Sequence, residues 1–140
     1  MTNTQTGIAR YTRLIVVLVI CVVLSIAFML LPKGFSDDVS KIGQGSVVVV
    51  LIHNKNSVRS LEVMEQLNHV RSDYTGKIEF LAVDIDTREG QDFMRREGVA
   101  AVVLVLFGAD GARRGVLDGG IGEGIDEKEL RLALDDLLSR

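Results

Sequence analysis

The chain has 140 residues, of which 47% are apolar, and its formal net charge is −3. This mild negative charge gives no reason to expect a nucleic-acid partner. With one cysteine, the chain excludes both an intramolecular disulfide and a soluble dithiol site.

The N-terminal third contains a long apolar segment. Residues 14–31 carry no charge, no glycine and no proline. As an α-helix, this segment spans roughly 27 Å, close to the hydrocarbon core of a bilayer. We therefore predict a disordered N-terminus at 1–10 and a transmembrane helix at 11–32, with the lipid bilayer as one partner.

The charges around this segment predict its orientation. Arg10 and Arg13 precede it and Lys33 follows it, a slight bias toward a cytoplasmic N-terminus. This favours a single-pass protein of the bacterial inner membrane, with its C-terminal domain in the periplasm. A signal peptide cleaved near Gly34 and a lipoprotein at Cys21 are the alternatives.

The rest of the chain reads as a linker, 33–45, and one domain, 46–140. Runs of β-branched apolar residues predict strands at 46–52, 77–83 and 101–107, and an Asp-Gly turn returns a fourth strand at 113–117. Helical spacing predicts helices after the first two strands and after the fourth. The order β-α-β-α-β-β-α implies a four-stranded mixed sheet with helices on both faces. In the first helix the predicted apolar stripe is Val58, Leu61, Met64, Leu67 and Val70.

Two stretches resemble thioredoxin, and the resemblance extends over about 46–139. "YTGKIEFLAVDID" at 74–86 is similar to the segment that follows the active-site helix in that family. "GVAAVVLVLFGADG" at 98–111 is similar to the family's third-strand segment and its turn. The resemblance implies a thioredoxin-like α/β fold.

The redox residues of that family are replaced in this chain. Counting back from Tyr74, the C-x-x-C motif falls on Ser57-Val58-Arg59-Ser60. The cis-proline falls on Val103, and the buried acid on Leu51. Thiol–disulfide exchange needs a thiolate and a resolving thiol, which two serines cannot supply.

We therefore expect a redox-inactive domain that is not an enzyme and that needs no cofactor or metal. The family's peptide-receiving surface implies an accessory or assembly subunit that binds other membrane protein subunits. The alternative is a noncatalytic helper in extracytoplasmic thiol-disulfide or cytochrome maturation. A serine hydrolase, with His53 as the base for Ser57, is a third class. The predicted partner-binding residues are Asn56, Ser57, Val58, Arg59, Val102 and Val103.

Overall fold

The computed structural model describes residues 5–30, 34–118 and 125–140, and within the first helix it describes the side chains of 14–27. The chain divides into two compact units, 1–34 and 35–140. Each unit is described by itself below.

The first unit contains helix α1, Gln5–Leu30. Every large apolar side chain that is described between Leu14 and Ile26 is exposed, so this part of the helix has no polar face. Within the described residues, no helix is both long and apolar enough to cross a membrane. The predicted span at 11–32 and the predicted disorder at 1–10 both include positions outside the described residues, and they stay predictions.

The second unit is built on one four-stranded sheet in the order β2-β1-β3-β4. β1 runs parallel to β2, whereas β3 is antiparallel to both β1 and β4. This arrangement confirms the predicted four-stranded mixed α/β sheet. The strands are β1 Val47–His53, β2 Ile78–Asp84, β3 Val103–Phe107 and β4 Arg113–Asp118, and the helices are α2 Val58–Arg71, α3 Arg88–Glu97 and α4 Glu127–Ser139.

The sheet carries a separate apolar core on each face, because alternate residues of a strand point to opposite sides. Helices α2 and α4 pack on one face, where Leu67 and Leu134 join Leu51 and Leu104. Helix α3 packs on the other face through Phe93. Both central strands are therefore buried on both sides, which explains their continuous apolar sequences.

The predicted apolar stripe of α2 was wrong in its first turn. Val58 is 72% exposed and Leu61 is 59% exposed, although both were expected to face the sheet. The buried residues of this helix are Ser60, Val63, Leu67 and Val70. In the first two turns of α2, the buried face is therefore displaced from the predicted apolar stripe. The buried face and the predicted stripe coincide at Leu67 and Val70.

The two edges of the sheet differ. Beside β2, the backbone N–H of Ala82 donates to the carbonyl oxygen of Ser36 at 2.9 Å, and Ser36 forms a single parallel bridge with Leu81. Val39 and Ile42, in the segment predicted as a linker, pack against the core under α3. Among the described residues, no other strand pairs with the outer edge of β4.

Candidate functional site

The chain turns sharply between the end of β1 and the start of α2. Ser57 is the N-cap of α2, and its hydroxyl oxygen accepts the backbone N–H of Ser60 at 3.4 Å. The Asn54 side chain accepts the N–H of Asn56 at 2.8 Å, and the Asn54 carbonyl accepts the N–H of Ser57 at 3.0 Å. These local bonds satisfy donors that a strand-to-helix corner otherwise leaves unpaired. Ser57 therefore caps α2 as well as turning the chain into it.

Ser60 differs from Ser57 because it is buried. Its side chain is 1% exposed, and its Oγ accepts the backbone N–H of Asn54 at 2.8 Å. A buried hydroxyl held this way stabilises the corner, since an unpaired buried N–H is costly. Both hydroxyls therefore have structural partners in the corner itself.

The start of β3 lies at the same end of the sheet as this corner. The N–H of Val102 donates to the carbonyl of Ile52 at 2.9 Å, and Val103 pairs with Ile52 in the ladder. Val102 has a φ of 60°, in the left-handed region that β-branched residues rarely adopt. No peptide bond among the described residues is cis. Strained backbone thus lies at the predicted site, beside the end of β1.

The predicted partner-binding residues are not equally available. Asn56 and Val58 are exposed, whereas Ser57, Arg59 and Val102 are partly buried. Val103 is only 4% exposed and belongs to the core under α3, so it offers almost no surface. Sequence reasoning missed Leu61, which lies three residues after Val58 on the same exposed side of α2. Its i,i+3 spacing from Val58 was the available signal, but that spacing was assigned to the core.

A pocket of about 460 Å³ opens at the ends of β1 and β2, and its walls include His53, Lys55 and Asp84. Asp84 is buried, and its carboxylate lies 2.7 Å from the Lys55 ammonium. The hydrogen bond from Lys55 and a second one from the Asp86 backbone N–H lower the pKa of Asp84, and the same ion pair raises the pKa of Lys55. Sequence reasoning did not predict this pair.

The two residues of the hydrolase alternative do not both line this pocket. His53 lines it, but Ser57 does not. Among the described residues, no group of three or more His, Cys, Asp or Glu side chains is placed to hold a metal ion. The arrangement is a salt-bridged polar pocket beside a hydrogen-bonded corner.

Comparison with known proteins identifies the fold. No family model matches the chain, and no curated protein matches it. An uncharacterised thioredoxin-like protein from Clostridium perfringens, known from its solution structure, superposes with a TM-score of 0.62 over 74% of this chain and 79% of that chain. The fold is thioredoxin-like. At 13% identity, the similarity extends to the fold alone. In this thioredoxin-like domain, Ser57 and Ser60 lie at the N-terminus of the helix that follows β1.

Proposed function

We propose that this chain is a membrane-tethered, redox-inactive thioredoxin-like protein that binds other membrane protein subunits as an accessory or assembly subunit. In this proposal, α1 anchors it in the bacterial inner membrane and the domain lies in the periplasm. The observation that carries the proposal is the strand-to-helix corner, where two serine hydroxyls accept backbone hydrogen bonds and no thiol is present.

The chemistry of the corner supports a noncatalytic role. The chain's single cysteine, Cys21, is in α1 and outside the domain. A helix N-terminus can activate a thiol by lowering its pKa, but an alcohol needs a neighbouring general base. The hydroxyl of Ser60 is buried and accepts the Asn54 N–H, and the hydroxyl of Ser57 accepts the Ser60 N–H. Neither serine therefore has the surroundings of an activated nucleophile.

The exposed apolar pair of α2 supports recognition. Val58 and Leu61 expose 72% and 59% of their surface, and helical geometry places residues three apart next to each other. Exposed Asn56 and partly exposed Arg59 add hydrogen-bonding capacity beside them. A small apolar centre with a polar rim is the usual composition of a transient protein interface.

The described part of α1 supports the tether. Its large apolar side chains are exposed on all sides, a pattern that water disfavours and lipid accepts. Arg10 and Arg13 precede it, which favours a cytoplasmic N-terminus. Alkaline carbonate extraction of bacterial membranes should leave the chain in the pellet, and a C-terminal alkaline phosphatase fusion should be active. Release by carbonate, or an inactive fusion that is well expressed, would contradict the tether or its orientation.

The binding role is tested by detergent pull-down with mass spectrometry on two matched variants. Val58→Asp places a charge in the predicted surface, whereas Leu132→Asp makes the same change on α4 at 63% exposure. We expect the Val58→Asp variant to recover about one tenth of the partner that wild type recovers, because a moderate interface contact is lost. The Leu132→Asp variant should recover as much as wild type. Equal recovery by both variants would contradict the assigned surface.

The same preparation separates the functional alternatives. Turnover of insulin disulfides by the wild-type chain would contradict redox inactivity. Recovery of a thiol oxidoreductase as the specific partner, in place of a membrane assembly, would favour the noncatalytic maturation helper. Labelling of Ser57 by a fluorophosphonate would establish a hydrolase.

A further inference from the structure

The exposed face of α2 changes in character from one turn to the next. Val58 and Leu61 form the apolar pair of the first turn, and the exposed carboxylates of the second turn are Glu62 and Glu65. Glu62 lies four residues after Val58. Glu65 lies four residues after Leu61, and residues at this spacing are neighbours on a helix surface. Each carboxylate is therefore on the same face as the apolar pair, about 6 Å further along the helix axis.

Among the described residues, neither of these two carboxylates forms an ion pair. Arg59 is three residues before Glu62, and the two do not pair. On α4, by contrast, Glu127 pairs with Arg131 at 2.9 Å, four residues later. The helix dipole does not account for the charges on α2, because its attraction for carboxylates is confined to the first turn, which has no acidic residue. Both charges are thus available to a partner.

We propose that the exposed face of α2 binds a partner protein segment that combines an apolar side chain with a lysine or arginine about 6 Å away, which is four residues in a helix or two in a strand. The apolar side chain covers Val58 and Leu61, and the cation lies against Glu62 and Glu65. This inference rests on the proposed binding function and adds the chemistry of the partner. Charges at the rim of an interface steer association and reject partners of the same sign.

The same carboxylates argue against the lipid bilayer as the occupant of this face. Exposed apolar residues of a helix can enter a membrane interface, and helices that do so commonly carry lysine or arginine on their polar face. On the exposed face of α2, the residues that follow the apolar pair are Glu62 and Glu65. An anionic lipid surface repels carboxylates. The charge pattern therefore favours a basic protein segment over lipid.

Neutralising and reversing the two charges in the full chain tests the proposal by the same detergent pull-down. At about 50 mM salt, the variant Glu62→Gln with Glu65→Gln should recover roughly one third of the partner that wild type recovers, because two exposed ion pairs are lost. The variant Glu62→Lys with Glu65→Lys should recover roughly one tenth, because attraction becomes repulsion. Raising the salt to about 500 mM should weaken recovery by wild type and leave recovery by the double glutamine variant unchanged, since salt screens exposed charges.

The matched control carries Glu129→Lys with Asp136→Lys on α4. Both residues are exposed, and Asp136 loses only an exposed pair with Arg140. The control changes the net charge as much as the double lysine variant of α2, and its recovery should equal that of wild type. If Val58→Asp lowers recovery but neither α2 charge variant does, or if the control loses as much as they do, the charge selection is overturned and the binding function stands. If none of the α2 variants lowers recovery, the binding function falls as well.

Photo-cross-linking identifies the bound segment directly. A photoreactive phenylalanine analogue in place of Asn68 lies on the exposed face of α2, three residues after Glu65. We expect mass spectrometry to find the cross-link in a partner segment with a lysine or arginine beside an apolar residue. Exchanging that basic residue for glutamate should weaken binding to wild type and restore binding to the variant Glu62→Lys with Glu65→Lys. A segment without a basic residue, a cross-link to lipid alone, or an exchange that does not restore binding would overturn the proposal.

Discussion

Replacing Ser60 with alanine tests whether its hydroxyl is structural. The side chain is 1% exposed, and its Oγ accepts the Asn54 N–H at 2.8 Å. Without the oxygen, that N–H loses its partner in a partly buried corner, which costs about 1–3 kcal/mol of unfolding free energy. Ser57→Ala removes a cap whose oxygen lies 3.4 Å from the Ser60 nitrogen, a long bond, and should cost only about 0.5–1 kcal/mol.

Hydrogen exchange with mass spectrometry on the full chain in detergent measures this effect locally. If the substitution lowers the free energy of local opening by the full 1–3 kcal/mol or so, the Asn54 amide should exchange roughly 5- to 150-fold faster in Ser60→Ala. Thermal unfolding followed by circular dichroism should show a lower midpoint, by roughly 4–8 °C for each kcal/mol lost. Ser46→Ala, at an exposed position before β1, is the matched control and should change neither quantity.

Two results would refute the reasoning. The first is a Ser60→Ala variant with unchanged Asn54 exchange and an unchanged midpoint. The second is a larger cost for Ser57→Ala than for Ser60→Ala. The first result would mean that the Ser60 hydroxyl does not hold the corner. The second would mean that the Ser57 cap stabilises the corner more than the bond between Ser60 and Asn54 does.

Three further predictions concern the structure around the pocket and α4. Gly90→Ala should lower the unfolding free energy by about 2–3 kcal/mol, seen in urea titration, because the new Cβ would lie 1.9 Å from the Asp84 carbonyl oxygen; a stability equal to wild type would show that α3 can shift freely. The lowered pKa of Asp84 means that its pair with Lys55 stabilises the fold above pH about 4 and is lost as the pH falls through the lowered value. The free energy of unfolding, measured between pH 2 and pH 7, should therefore fall less steeply toward low pH in Asp84→Asn than in wild type. The same fall in both proteins would contradict this. Tyr74→Phe removes a 2.8 Å hydrogen bond to Asp135 and should cost about 1 kcal/mol by thermal unfolding, whereas no loss would show that the phenol is equally well solvated in the unfolded chain.

The sheet was predictable because its central strands are buried on both faces. A strand of this kind needs apolar, preferably β-branched residues at every position, and β1 has that composition from Val47 to Ile52. The turn at Asp110-Gly111 was equally predictable, because an Asp-Gly pair favours the positive φ that such a turn requires. Gly111 has a φ of 78°. Short connections and right-handed crossovers then left few possible strand orders.

The exposed side of α2 was not predictable in the same way. Val58 and Leu61 continue the helical spacing that leads to Leu67, whereas Ser60 interrupts the face that the sheet covers. Because serine is polar, the periodicity of the sequence predicts that it lies on the solvent-exposed face of the helix. Its burial depends on a hydrogen bond to Asn54, six residues earlier in the chain, and only the folded corner brings that partner within reach.

The edges of the sheet also escaped prediction, for a related reason. The residues that cover β2 come from the segment that composition marks as a linker. The open side of β4 follows from strand order and register, which sequence periodicity does not fix. Composition therefore indicated where the chain is apolar, but not which of its surfaces remain available.

If α1 tethers the protein as proposed, the bond between Ser36 and β2 has a mechanical consequence. Tension applied to the chain ahead of Phe35 reaches the domain at Phe35, whose ring packs against the core, and at Ser36, where one backbone bond and one parallel bridge join the chain to the sheet. Pulling there would break these short contacts before the force reaches β1. The hydrogen bonds of β1 to β2 and to β3 would have to break together. The chain segment that precedes β1 would thus extend by a few residues under force, while the sheet stayed intact.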